Sequence, residues 1–399
     1  MAKIVKLIMV SGDNNNNKYY HMFEQNDGTF TVNYGRVDST TQHASYPMSQ
    51  WDKKKNEKLR KGYKDVTELY AIHESKTNKG ESFISNDSFV KKLIEDLQRF
   101  AKQTVSDNYN ISTKNVTLKM INEAQLIIDE LSTIYKNTSD IKQINNLFLK
   151  LFTVIPRKMN NVKNYLIEDN HTKEQINKLI ENEQSILDTL AGQVSIEENE
   201  ENFSNETNVS LLDNMGISVS HVTDANVITK IKKMMGDSSH LFSKLFEIKN
   251  FETEKRYNTL PIENEELLFH GSRNQNYIGI LTKGLLIRPS GVALNGSMFG
   301  GGNYHATKAQ KSIGYTSLNG SYWASGNSNV AYLLMFAVNL GKIKHVYEHT
   351  YECYNFSKST IYPYNSVFAH AGKSLRNDEI ITYDIARCTV RYLIEIKKS

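Results

Sequence analysis

Four short stretches in the last third of the chain gather residue types that could do chemistry. Phe269-His270-Gly271-Ser272 sets a histidine, a glycine and a hydroxyl directly after an apolar run. Gly296-Ser297-Met298-Phe299-Gly300-Gly301-Gly302-Asn303-Tyr304-His305-Ala306 is a glycine-rich loop entering a tyrosine-containing segment, and Lys311-Ser312-Ile313-Gly314-Tyr315 follows it. Asn377-Asp378-Glu379-Ile380-Ile381-Thr382-Tyr383-Asp384 opens a strand-like region on an acid. Histidine and carboxylate can hydrogen-bond or move protons, and tyrosine rings can stack on a flat ligand. Singly, each has a plainer reading: a histidine at a strand end, a glycine loop without GxGxxG order, a solvent-facing glutamate. Ala371-Gly372-Lys373-Ser374 has the end of a phosphate-cradling loop, but position 367 is Val where that loop needs Gly, which removes a nucleotide-triphosphate reading.

The elements that must position these residues follow from periodicity. Leu267-Leu268-Phe269, Tyr332–Leu340 and Ile380–Ile396 are predicted as buried or half-buried strands, preceded by a helix over Asn226–Met235 and an apolar segment over Leu241–Ile248. Residues 192–206, acidic and non-periodic, are expected to be a linker. Residues 86–190 step by threes and fours: Phe89, Leu93, Leu97, Phe100; then Met120, Ala124, Ile127, Leu131; then Ile141, Ile144, Leu147, Leu151; then Ile176, Ile180, Leu187, Leu190. That spacing predicts an α-helical bundle, with Asn86 or Asp87, Asp140 and Thr172 as caps. Residues 1–83 alternate in short runs, Ile4–Val10, Lys18–Phe23, Thr29–Tyr34 and Gln42–Tyr46, which predicts a meander of antiparallel strands and then a basic helix after Trp51. The Asn14 to Asn17 run reads as a surface loop.

Length and composition fit this division. The 399 residues suggest two or three domains, and 39% apolar with 23% charged residues lets each build a core. No run approaches the ~20 apolar residues of a membrane span. Met1 to Val10 is too short an apolar stretch for a secretory signal and reads as a strand. Two cysteines, Cys353 and Cys388, exclude a four-cysteine zinc site and a disulfide framework, so a reducing compartment is the default. The net charge of +4 lies wholly in residues 1–80, with 13 Lys and Arg against 9 Asp and Glu; the remainder holds 35 of each. Lys53, Lys54, Lys55, Lys58, Arg60, Lys61 and Lys64 are the densest part, either a solvated helix face or a phosphate-contacting surface.

Together and in this order, the motifs resemble the catalytic domain of the poly(ADP-ribose) polymerase (PARP) family. The matching pieces are HGS at 270–272, GILTKGLLI at 279–287, GSMFGGGNYHA at 296–306, KSIGY at 311–315 and NDEIITYDIA at 377–386. VNYGRV at 32–37, with KYY at 18–20, is similar to the WGR domain of DNA-dependent members; LFTVIP at 151–156 and the helices around it are similar to the helical regulatory domain. The resemblance implies a multidomain α+β protein: a small antiparallel β WGR domain at 1–83, an α-helical regulatory domain at 86–195, and a mixed, mainly antiparallel β ADP-ribosyltransferase domain at 207–399. It implies cleavage of the nicotinamide–ribose bond of NAD⁺, used as co-substrate without a metal, and transfer of ADP-ribose to protein acceptors including the chain itself. It assigns the catalytic set to His270, Tyr304 and Glu379. NAD⁺ binding falls to His270, Gly271, Ser272, Tyr304, Ser312 and Tyr315: Gly271 and Ser312 hold the carboxamide, the two tyrosines sandwich the nicotinamide, and His270 bonds the adenosine ribose. Glu379 would bind the nicotinamide-ribose 2′-hydroxyl and stabilise the oxocarbenium-like transition state. Met298 maps to the acceptor region.

The resemblance also implies DNA ends or nicks as partners, engaged through Tyr34, Arg36, Lys53, Lys54 and Lys55, with the helical domain restraining NAD⁺ access until DNA binds. A monomer without a membrane partner is expected, nuclear in a eukaryote and cytoplasmic, nucleoid-associated in a bacterium. Three family positions differ. The WGR tryptophan is Tyr34, a lysine of polymer-forming relatives is Gly301, and a tyrosine two before the catalytic glutamate is Asn377. The last two bear on chain length, because both lie near where a growing polymer would bind. Single-unit transfer from the same pocket and a non-catalytic DNA-end scaffold are the rival expectations.

Overall fold

The computed structural model describes residues 2–70, 83–109, 115–137, 140–202, 210–287 and 297–398. Gly296, residues 203–206 of the expected linker and residues 71–82 of the expected first domain lie outside the described residues. The chain divides into two compact units, Met1–Asn78 with Thr104–Val194, and Lys79–Gln103 with Ser195–Ser399.

In the first unit, strands β1 (Ile4–Ser11), β2 (Asn16–Glu24), β3 (Thr29–Arg36), β4 (Gln42–Pro47) and β5 (Lys64–Asp65) form an antiparallel sheet in the order β4-β3-β2-β1-β5. Alternation sends Val5, Leu7, Tyr20, Met22, Phe30 and Val32 to one face, where they close around Trp51 at the start of helix α1 (Trp51–Arg60). The helical segments are α2 (Ser88–Asn108), α3 (Leu118–Asn137), α4 (Ile141–Val154) and α5 (Lys173–Asn202). Asp87 accepts from the backbone of Phe89 and Val90, Asp140 from Gln143, and Thr172 exchanges reciprocal bonds with Gln175, so the expected caps are in place.

Two expectations need correction, the linker and the asparagine run. Residues 192–202 are helical rather than linker, because the apolar stripe of α5 continues through buried Val194 and Ile196 and glutamate-rich sequence propagates a helix well. The first half of α2 belongs to the second unit, where Val90, Leu93, Ile94 and Leu97 are buried in its core. The asparagine run is not an idle surface loop. Asn17 is fully buried in β2 and its side chain donates to the Arg157 carbonyl at 2.9 Å, while the Asn15 side chain accepts from the Val162 amide at 2.9 Å.

The second unit holds β6 (Ile217–His221), β7 (Phe242–Asn250), β8 (Glu265–Gly271), β9 (Asn303–His305), β10 (Val330–Asn339), β11 (Ile343–Val346), β12 (Ser366–Ala369), β13 (Glu379–Thr382) and β14 (Cys388–Lys397). They make two sheets, β6-β7-β14-β10-β8 and β11-β12-β13-β9, antiparallel except where β11 runs parallel to β12. Helices α6 (Leu211–Asn214), α7 (Ala225–Met235), α8 (Phe251–Tyr257), α9 (Tyr277–Lys283) and α10 (Ala309–Ile313) complete it. Strand β10 is buried on both faces. Tyr332, Leu334 and Phe336 point into the core shared with α2 and α9, and Leu333 and Met335 into the core under α7 and α10. The two sheets meet where Phe269 and Ala306 exchange backbone hydrogen bonds of 2.9 Å, which brings His270 on β8 beside Tyr304 on β9. This unit is the mixed, mainly antiparallel α+β fold expected for the C-terminal part.

Candidate active site

At the sheet junction, His270 Nδ1 lies 2.9 Å from the Tyr304 carbonyl oxygen. A carbonyl can only accept, so Nδ1 carries the proton and Nε2 is left as an acceptor for a ligand hydroxyl. Burial lowers the His270 pKa, partly opposed by the Tyr304 hydrogen bond, and holds the ring in this neutral form. Gly271 follows, and no other residue fits there: a Cβ would stand 1.8 Å from the Ser312 carbonyl oxygen of α10. That approach brings the backbone of β8 against the helix bearing Ser312, which is buried, and Tyr315 closes the same turn by donating its amide to Ser312 at 3.0 Å. Ser272 is fastened to α9, its hydroxyl accepting from Asn276 at 3.0 Å and its amide lying 3.3 Å from the Tyr277 hydroxyl.

Tyr304 is held by its hydroxyl, which donates to the Gly300 carbonyl at 2.8 Å and accepts from the Phe299 amide at 3.0 Å. The glycine loop is shaped for this clamp. Gly300 has φ of +76°, a left-handed conformation, and a Cβ there would lie 2.0 Å from the Phe356 carbonyl oxygen. Burial raises the Tyr304 pKa, with nearby Tyr315 adding to the rise, so both rings stay neutral within each other's field. Met298 is half-buried in the same loop, and its carbonyl bonds His349 Nε2 at 2.9 Å.

Glu379 opens β13, which pairs with β9 through Ile380 opposite His305 and Ile381 opposite Tyr304. The residue is 5% exposed; Oε1 contacts the Lys311 ammonium and Oε2 is buried with no partner among the described residues. Lys311 was not anticipated as a site residue, although it sits beside Ser312 in the KSIGY motif. Burial pushes its ammonium down to about 8, and it lies against the Glu379 carboxylate. A chain of contacts links these residues: Glu379 meets Lys311, its neighbour Ser312 meets Gly271, and the preceding His270 meets Tyr304. A carboxylate with one orphaned oxygen, a neutral histidine acceptor and two tyrosines suit a ligand carrying hydroxyls and a flat ring. A second histidine, His305, lies beneath, its ring 6.1 Å from that of His270 and its pKa pushed well down by burial, next by His270.

The residues expected to meet DNA lie in the first unit. Arg36 turns inward: its guanidinium donates to the carbonyls of Met159 at 2.8 Å and Asn160 at 2.9 Å, and to the Asn15 carbonyl at 2.5 Å. Tyr34 is half-buried with its ring 5.9 Å from Tyr20. Lys55 pairs with Asp65 at 2.7 Å, Lys54 lies over the Tyr46 ring at 4.2 Å, and Lys53 is exposed.

Residues 223–398 match the poly(ADP-ribose) polymerase catalytic domain. Among relatives, poly [ADP-ribose] polymerase-like 100L of Invertebrate iridescent virus 6 is 33% identical over 165 residues, 39% of this chain and 86% of that protein. Uncharacterized protein 101L of the same virus is 38% identical over 194 residues, covering 49% and 79%. Poly [ADP-ribose] polymerase 1 of Danio rerio is 24% identical over 336 residues, 77% of this chain but 33% of that longer protein. Fold, site and relatives define an NAD⁺-using ADP-ribosyltransferase. The chain belongs to the poly(ADP-ribose) polymerase family.

Proposed function

We propose that this ADP-ribosyltransferase is stimulated by DNA breaks and transfers ADP-ribose to proteins, itself included, building chains. The catalytic reading rests on one observation, the buried Glu379 carboxylate, on the strand paired with that of Tyr304, with Oε2 lacking a partner among the described residues. A sugar 2′-hydroxyl donating to that oxygen would hold the ribose while positive charge grows at its anomeric carbon. Such a bond strengthens as the oxocarbenium forms, so the stabilisation is aimed at the transition state. Tyr304 and Tyr315 would hold the departing nicotinamide by its faces, with the Gly271 backbone and the Ser312 hydroxyl on its amide. Lys311 would limit the rotation of the Glu379 carboxylate through their contact.

The first unit supports the DNA-linked part. Its five-stranded sheet and α1 carry VNYGRV and the chain's excess positive charge, and the alignment with the zebrafish polymerase reaches beyond residues 223–398. In this reading Arg36 fixes the 159–160 turn while exposed Lys53 and Arg60 meet phosphate, positioning without reading sequence. Helices 86–195 would act as the regulatory element, shifting between restraining and releasing states. Nicotinamide release measured with and without nicked or blunt duplex tests this: stimulation is expected, and equal rates refute DNA gating. Gly301 and Asn377 favour a second reading, single-unit transfer. Gel analysis of labelled product decides it, a ladder meaning chains and a sharp band meaning single units.

A further inference from the structure

Beside Tyr315 stands an aromatic pair, Tyr322 and Trp323. Trp323 lies with its ring centroid 6.0 Å from that of Tyr315 and the planes 18° apart, an offset stack, while Tyr322 meets the indole edge-on at 4.7 Å. The indole is 62% exposed and Tyr322 80% exposed, so core burial does not hold them there. Backbone does. The amides of Trp323 and Ala324 both donate to the Gly314 carbonyl, at 2.9 and 3.1 Å, and the Ser321 hydroxyl donates to Thr316 while accepting from Gly326. Gly314 leaves room for this approach: a Cβ there would come 3.1 Å from the Trp323 ring. The segment is thus pinned so that a large, largely solvent-facing ring covers Tyr315.

We propose that Trp323 is a positioning residue of the nicotinamide subsite, backing the Tyr315 ring so that its other face is presented rigidly to the nicotinamide. The inference rests on the assignment of Tyr315 to that subsite. A free tyrosine at a pocket rim loses rotamer freedom on stacking a ligand, and a second ring behind it removes that freedom in advance. Stacking contributes equally to bound substrate and transition state, so its loss raises KM for NAD⁺ and leaves kcat nearly unchanged.

Steady-state nicotinamide release by the full chain, under the DNA condition giving highest turnover, is compared for wild type, Trp323→Ala, Trp323→Phe and Tyr315→Ala. Trp323→Ala is expected to raise KM for NAD⁺ about 3- to 10-fold, the range of an aromatic pair, with kcat within about twofold, and Trp323→Phe to restore most of the loss. Trp51 and Trp323 are the chain's two tryptophans, and Trp51 is buried in the first unit. Nicotinamide titration should therefore change the emission of wild type and leave Trp323→Phe unresponsive. Unchanged KM in Trp323→Ala, or lowered kcat and melting temperature with KM intact, overturns the inference if Tyr315→Ala does raise KM. Should Tyr315→Ala also leave KM unchanged, the nicotinamide-subsite assignment itself fails, and the inference with it.

Discussion

Replacing Glu379 by Gln isolates charge from shape at the reacting centre. Gln keeps the side-chain volume and one acceptor oxygen but removes the negative charge that faces the ribose. Loss of one preorganised group aimed at transition-state charge costs roughly 10²–10³ in turnover, about 2.7–4 kcal/mol. The effect should fall on kcat, while the dissociation constant of a non-hydrolysable NAD⁺ analogue stays within about fivefold, because in the proposed binding mode the tyrosines, His270 and Ser312 would still hold the dinucleotide. The same change strands the Lys311 ammonium beside a neutral amide. Its folded pKa, pushed by burial to about 8, lies below the unfolded value of 10.5, so the folded state gives up the proton first and stability rises with pH through that window. The melting-temperature deficit of Glu379→Gln against wild type should be largest at pH 6–7, where the lysine is charged, and shrink above pH 8 as it becomes neutral. Turnover within fivefold of wild type would refute the role given to Glu379. Retained turnover loss with a pH-independent stability deficit would instead refute the ion pair.

Further outcomes follow from the same geometry. Because burial depresses His270 and His305 below the ordinary histidine pKa, the folded state binds fewer protons than the unfolded chain at mildly acidic pH; stability should therefore rise with pH up to about 6.5 and then level. Melting curves across pH 4–8 check this, and a decline over that span contradicts it. KM for NAD⁺ should stay flat near neutrality and climb only in acid, where protonated His270 loses its Nε2 acceptor. Gly271→Ala drives a methyl into the Ser312 carbonyl; a loss of about 1–3 kcal/mol, typical of overpacking, is expected in denaturant titrations together with loss of turnover. Arg36→Ala frees the Met159 and Asn160 carbonyls and should cost about 1.5–3 kcal/mol of first-unit stability, with Arg36→Lys recovering only part, since one ammonium cannot span the same carbonyls.

The chemistry was more legible in the chain than its supports were. Strand alternation and helical spacing located the first four strands, α1 and the apolar stripe of α2, because burial on one face imposes a period that a local window can read. The site residues were legible only as an ordered set of motifs; contacts such as Gly271 with Ser312 join segments some forty residues apart and leave no local trace. Lys311 escaped because a lysine beside a motif serine looks solvated until β13 brings Glu379 against it. Arg36 looked like a free cation because its acceptors are backbone carbonyls 123 and 124 residues away, and carbonyls carry no sequence signal. Asn17 was passed over for the opposite reason: asparagine runs favour turns, and tertiary burial against Arg157 overrode that preference.

The most direct test of the central claim, that this cleft breaks the nicotinamide–ribose bond of NAD⁺, is incubation of the purified chain with nicked duplex and NAD⁺ labelled in the adenylate half, reading labelled protein and free nicotinamide together. Both should appear in wild type and fall by at least a hundredfold in Glu379→Gln. Neither label nor nicotinamide from wild type under any DNA condition would contradict the account and leave a DNA-end scaffold in its place.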